Sequence, residues 1–143
     1  MNLYRKMLVA YDGSDLSNKA YKEAIALAKE DISSEVEVIL VINPTSNITS
    51  SSNYGIAEEE FEDATILMKH INEQLRRDLP NNVTNAAVLQ GTPGEEIARY
   101  AIMNGIELII MGSRGLGGIK ELFLGSVSHS VLQLSSCPVL IIK

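Results

Sequence analysis

Short apolar runs alternate with longer stretches whose apolar residues recur every three or four positions, from one end of this chain to the other. Lys6-Met7-Leu8-Val9-Ala10-Tyr11 is the first run, and it stops at the turn signal Asp12-Gly13-Ser14. Leu16, Ala20, Ala24, Leu27 and Ala28 follow at helical spacing, which predicts a helix over 15–30 capped by Ser14 or Asp15. Val36–Ile42 is a second strand. A second helix is predicted from near Ala57, with Phe61, Ala64, Met68, Ile71 and Leu75 on one face, to the stop at Leu79-Pro80. Val83–Gln90 is a third strand. Gly91-Thr92-Pro93-Gly94-Glu95 then reads as a helix start, with Thr92 as N-cap, Pro93 in the first helical position and Glu95 completing a capping box. That helix closes at Asn104-Gly105. Ile106–Met111 is a fourth strand, Val127, Val131 and Leu134 mark a last helix, and Pro138–Ile142 is a fifth strand.

Strands separated by helices are joined by crossovers, and crossovers make a parallel sheet. The runs LVA, VILVI, ELIIM and VLII show no polar alternation, which suits strands covered on both faces. The predicted fold is therefore α/β, a single open five-stranded parallel sheet with helices on both faces, in one domain over 1–143. Composition removes several functions. No apolar run approaches the roughly 20 residues of a membrane span. The net charge of −6 argues against a nucleic-acid partner, which requires a basic face. The single cysteine, Cys137, permits no internal disulfide, so a reducing cytoplasmic setting is expected, and it reads as a small buried residue at a strand start. The N-terminus runs directly into the first strand and is not read as a signal peptide.

In open parallel sheets, ligands bind beyond the carboxyl ends of the strands where the strand order reverses. The loops to consider are Asp12–Asp15, Val41–Asn53 and Gly112–Gly125, the last of which holds five of the chain's 10 glycines. A Walker loop fails because Gly118 stands where lysine is needed. A dinucleotide fingerprint begins at Gly115 and Gly117 but meets Lys120 where its last glycine belongs, and it follows the wrong strand. The pattern that remains is G-x2-G-x9-G-[ST], formed by Gly112, Gly115, Gly125 and Ser126. Bare backbone at Gly112 and Gly115 would let an anion approach. Gly125-Ser126 opens a helix whose free N–H groups favour phosphate. Ser126 and Ser128 add hydroxyl donors, and Arg114 and Lys120 add positive charge to an acidic chain. The polar stretch Thr45–Asn53 reads as a disordered loop, with a lid over nucleotide as the second reading. His70 and His129 read as non-catalytic.

This glycine-serine pattern resembles the signature of the nucleotide-binding branch of the universal stress protein family. LVAYDGSDLSNKA resembles that family's first strand and turn, QGTPGEEI its middle loop and SCPVLIIK its closing strand. The resemblance implies a Rossmann-like, adenine nucleotide alpha hydrolase-like sheet in the order 3-2-1-4-5. It implies ATP, possibly with Mg, at the switch between strands one and four. Ala10 and Asp12 would line the adenosine end, and Val41 would meet adenine through its backbone. Gly112, Arg114, Gly115, Gly125, Ser126, Val127 and Ser128 would wrap ribose and phosphates. The family often carries histidine where Arg114 stands. The function implied is that of an ATP-binding regulatory module of the stress response. Two alternatives stay open: a dimeric interaction module without nucleotide, and a slow ATPase or a protein that phosphorylates itself at Ser126 or Ser128.

Turnover of ATP needs a positioned water and charge on the transferred phosphate. The only carboxylates in the first loop are Asp12 and Asp15, and the chain has no Walker lysine, no G-x-S-x-G elbow and no metal-ligand cluster. Binding with little turnover is expected. A response-regulator receiver would need an aspartate after strand three, where the chain reads Leu89-Gln90-Gly91-Thr92. In the implied strand order the fifth strand is an apolar sheet edge, which predicts a homodimer through Val139–Ile142.

Overall fold

Five strands and four helices alternate in the computed structural model, which describes residues 3–44, 54–116 and 124–143. They are β1 (Lys6–Ala10), α1 (Asp15–Lys29), β2 (Glu35–Ile42), α2 (Tyr54–Asp78), β3 (Thr84–Gln90), α3 (Pro93–Met103), β4 (Leu108–Gly112), α4 (Ser126–Leu134) and β5 (Val139–Ile142). The sheet order is β3-β2-β1-β4-β5, with every pair parallel, as expected. The chain starts mid-sheet, steps outward to β3, then crosses back to the far side of β1. Right-handed crossovers place helices from these two legs on opposite faces.

Two cores result, because successive strand residues point to opposite faces. On one face Ala20, Ala24 and Ala28 of α1 and Met68, Ile71 and Leu75 of α2 cover Met7, Val9, Val36, Val38 and Ile110. On the other, Ile97 and Ala101 of α3 and Val131 of α4 cover Leu8, Ile39, Ile109 and Met111. Leu8 and Ile109 are paired neighbours in the sheet and both are fully buried. The centre of the sheet is thus closed on both sides, which is why its strands read as unbroken apolar runs.

Local signals account for two helix ends. Ser14 caps α1 by accepting the Ser17 N–H, after a turn in which Gly13 takes φ +85°. At the end of α3, Gly105 takes φ +65°, and the Ile106 N–H returns to the Ala101 carbonyl at 2.9 Å. That bond closes the helix in a Schellman motif and delays β4 to Leu108, two residues beyond the expected start. The capping box does not form. Thr92 is the N-cap but its side chain makes no capping bond, and Pro93 takes the first helical position. Helix α2 begins at Tyr54, earlier than its apolar periodicity indicates. Pro138 precedes β5, although its carbonyl accepts the Ile109 N–H at 3.0 Å. Cys137 is half-buried rather than buried, and burial raises its thiol pKa.

One charge sits inside the sheet layer. Glu37 of β2 is 9% exposed. Tyr100 of α3 donates to its Oε1, while Lys6 Nζ of β1 lies 3.4 Å from Oε2, which lacks a hydrogen bond. Burial, then the hydrogen bond and charge of Glu37, push the Tyr100 pKa up to about 12. The folded chain therefore keeps this phenolic proton to higher pH than the unfolded chain, whose tyrosines ionise near 10. The stability that Tyr100 contributes is fully present below about pH 10 and is lost as pH rises towards 12. The urea midpoint should fall over this range, and less steeply in Tyr100→Phe. Equal slopes would assign the loss to other tyrosines.

Candidate functional site

The carboxyl ends of β1, β2 and β4 open on a cavity of about 290 Å³ where the strand order reverses. Ala10 ends β1, Val41 lies near the end of β2 and Gly112 ends β4. Asp12, Arg114 and Gly115 stand in the following turns. Gly125 is the N-cap of α4, and Ser126, Val127 and Ser128 form its first turn. All of these expected residues line the one cavity. Lys120, Gly117, Gly118 and the Thr45–Asn53 stretch lie outside the described residues.

The sequence reading missed six lining residues: Tyr11, Ile39, Pro93, Ile97, Met111 and Leu116. Two signals were available. Ile39 is the same-face partner of Val41 on β2, two residues away. Ile97 is one helical turn from Pro93, at the start of the helix after β3. Attention to the loops after β1, β2 and β4 left α3 out, yet α3 leans over the cavity and supplies part of its apolar side.

The start of α4 and the turn after β4 supply the polar lining. The first backbone bond closing α4 runs from the His129 N–H to the Gly125 carbonyl at 3.0 Å. The N–H groups of Ser126, Val127 and Ser128 precede it and have no intrahelical acceptor. Arg114 stands over this helix start, and a Cβ on Gly125 would lie 3.2 Å from the Arg114 Cα. Its guanidinium has no carboxylate partner among the described residues, where the ion pairs are Lys6–Glu37 and Glu96–Arg99. Free N–H groups, a helix's positive end and an unpaired guanidinium are together the chemistry of an anion site.

The chain's own atoms crowd the signature residues. A Cβ on Gly112 would lie 2.7 Å from the Leu16 Cβ, so this glycine lets α1 press against the end of β4. A Cβ on Gly115 would run into Asp12 Oδ2. None of the three signature glycines has a positive φ. The backbone of Ser113 organises the loop: its N–H donates to the Ile142 carbonyl at 2.8 Å, and its carbonyl accepts from the Gly125 N–H at 2.6 Å. Ser128 Oγ also donates to that carbonyl, at 2.7 Å, with its residue 2% exposed. The Ser128 hydroxyl proton is thus committed to the backbone, whereas Ser126 is exposed at the cavity. Tyr11 donates to Asn18 Oδ1, and burial, then the Asp12 charge, raise its pKa and keep it neutral.

Helices α3 and α4 meet at Gly94, where a Cβ would overlap the Ser130 side chain. Among the described residues no helix is long and apolar enough to cross a membrane, and no group of three or more His, Cys, Asp or Glu could hold a metal ion.

A parallel sheet in this order, with a cavity walled by an apolar helix face and a glycine-capped helix start, defines an α/β protein of the Rossmann-like type. The model of the universal stress protein family matches residues 3–143, and the chain belongs to that family. It is 41% identical to universal stress protein YxiE of Bacillus subtilis, over 99% of this chain and 100% of that one. Among solved structures it superposes on MJ0577 of Methanocaldococcus jannaschii with a TM-score of 0.89 and 30% identity, covering 99% of this chain and 96% of that one. A universal stress family protein of Arabidopsis thaliana, solved with AMP bound, shares the fold with a TM-score of 0.71 and 17% identity, covering 96% and 90% of the two chains.

Proposed function

We propose that this chain is an adenine-nucleotide-binding universal stress protein of the glycine-serine signature branch, a cytoplasmic regulatory module that holds ATP with little turnover. The observation that carries this reading is that Arg114, whose guanidinium has no ion-pair partner among the described residues, lines the same cavity as the free N–H end of α4, in a chain of net charge −6. An acidic protein that keeps an uncompensated cation at a helix N-terminus has a place for a phosphate. Ile39, Val41, Ile97 and Met111 offer the apolar side that a base requires. The relative solved with AMP supports an adenine ligand. Mg would enter with the nucleotide, coordinated mainly by phosphate oxygens and water. Little turnover follows from the lining: among the described residues Asp12 is its only carboxylate, and both oxygens already accept backbone N–H groups.

The test is to denature the purified protein and resolve the supernatant on a nucleotide column, with calorimetry of added ATP beside it. Release of ATP, or binding of added ATP, upholds the reading. A chain that releases none and binds none overturns it.

The same reading includes a homodimer through β5, an apolar edge strand whose Leu140 is 36% exposed. Leu140→Lys should give monomers in sedimentation, because it places a charge on the edge without entering a core. Ile141 is a poorer probe, since it packs against the α3–α4 core. A dimer that persists in Leu140→Lys would point to another surface.

A further inference from the structure

Asp12 stands at the end of β1 and bonds to the start of the glycine loop, 104 residues away in sequence. Its Oδ1 accepts the Ser14 N–H at 2.9 Å, and its Oδ2 accepts the Leu116 N–H at 3.0 Å. Gly115 provides the room, because a Cβ there would run into Oδ2. Among the described residues no other hydrogen bond holds Gly115 or Leu116. On the near side of Arg114, Ser113 is fixed by its bonds to Ile142 and Gly125. The Arg114 backbone is therefore held at two points, by Ser113 before it and by the Asp12 carboxylate after it.

We propose that Asp12 is a positioning residue, whose carboxylate pins Gly115-Leu116 and so holds Arg114 over the start of α4 before any ligand arrives. The bond joins an ionised acceptor to a backbone donor, the stronger kind of hydrogen bond. The pin itself needs no ligand; its effect on affinity rests on the nucleotide reading above. The consequence has a distinctive sign. A carboxylate in an anion site repels phosphate, so its removal would strengthen anion binding on Coulombic grounds alone. Pinning predicts the reverse.

The experiment uses inorganic tripolyphosphate, which has neither base nor ribose, so that direct contact of Asp12 with a sugar cannot contribute. Its affinity is measured by calorimetry for the wild type, Asp12→Ala, Leu116→Pro and the double variant. Leu116→Pro removes the donor and leaves the Asp12 charge in place. Amide exchange at Leu116 is followed without ligand in the wild type and Asp12→Ala. The expected result is affinity about tenfold weaker in each single variant and no further loss in the double variant. Leu116 exchange should be at least about tenfold faster in Asp12→Ala, with β1 and β4 amides unchanged. Unchanged or tighter tripolyphosphate binding in Asp12→Ala would overturn the proposal, as would unchanged Leu116 exchange. If the wild type binds neither tripolyphosphate nor ATP, the nucleotide reading fails, and the Leu116 exchange alone decides whether the pin exists. If Asp12→Ala does not fold, Leu116→Pro carries the binding comparison, and wild-type affinity in that variant would overturn the pin.

Discussion

A Gly115→Val chain should be purified with no nucleotide and bind added ATP at least about a hundredfold more weakly than the wild type, a loss of about 2.7 kcal/mol. Its melting temperature should stay within a few degrees of the nucleotide-free wild type. Gly115 is exposed, and its side-chain direction is filled by Asp12 Oδ2. A valine must displace either that carboxylate or the loop, and both disturb the backbone next to Arg114. Neither touches the cores, whose residues lie beneath the helices. Among the described residues one hydrogen bond holds Gly115-Leu116, and a segment so held opens without global unfolding. Release of nucleotide by Gly115→Val at the wild-type level would show that the crowding at this glycine is irrelevant to binding. Gly112 would be the wrong choice for this test: a side chain there meets Leu16 of α1, and the variant would report on folding instead.

The second large effect concerns stability. Leu8→Ala should cost about 3 kcal/mol, because Leu8 is fully buried in the central strand under α3 and α4. Its sheet neighbours Glu37 and Ile109 are themselves buried, so little can collapse into the space. For a chain of this length the melting temperature should drop by about 10 °C, measured on nucleotide-free protein so that ligand does not mask the change. A loss below about 1 kcal/mol would mean that the α3–α4 layer settles into the cavity.

The parallel sheet was legible because the central strands are buried on both faces, and burial leaves an uninterrupted apolar run such as Leu108-Ile109-Ile110-Met111, whereas the strand order was implied only by the family resemblance. The ends of α1 and α3 were legible where the cap chemistry is local, at Ser14 and at Asn104-Gly105. Thr92 and Glu95 show the limit of such patterns. They have the spacing of a capping box, but a following proline starts the helix without the side-chain bond. Gly112, Gly115, Gly125 and Ser126 could be named from spacing, and Ala10, Asp12 and Val41 from the family resemblance. For Pro93 and Ile97 the only signal was their spacing of one helical turn, which does not place them over the cavity, because that depends on how α3 crosses the sheet. The roles of the signature glycines were also hidden. Their contacts with Leu16, Asp12 and Arg114 span up to about a hundred residues of sequence, and no local pattern reports them. Nor could spacing reveal that the Ser128 hydroxyl is taken by Ser113 while Ser126 is exposed at the cavity.

The contact at Gly94 has a consequence for any attempt to change what the cavity accepts. With no space for even one carbon between that glycine and Ser130, α3 and α4 behave as a single jaw of fixed gauge. The apolar side, with Pro93 and Ile97, and the anion side, with Ser126 and Val127, then cannot spread apart separately. A bulkier base would be admitted by trimming Ile97 to alanine, whereas loosening the helix pair would shift both sides together and spoil the anion end for whatever entered.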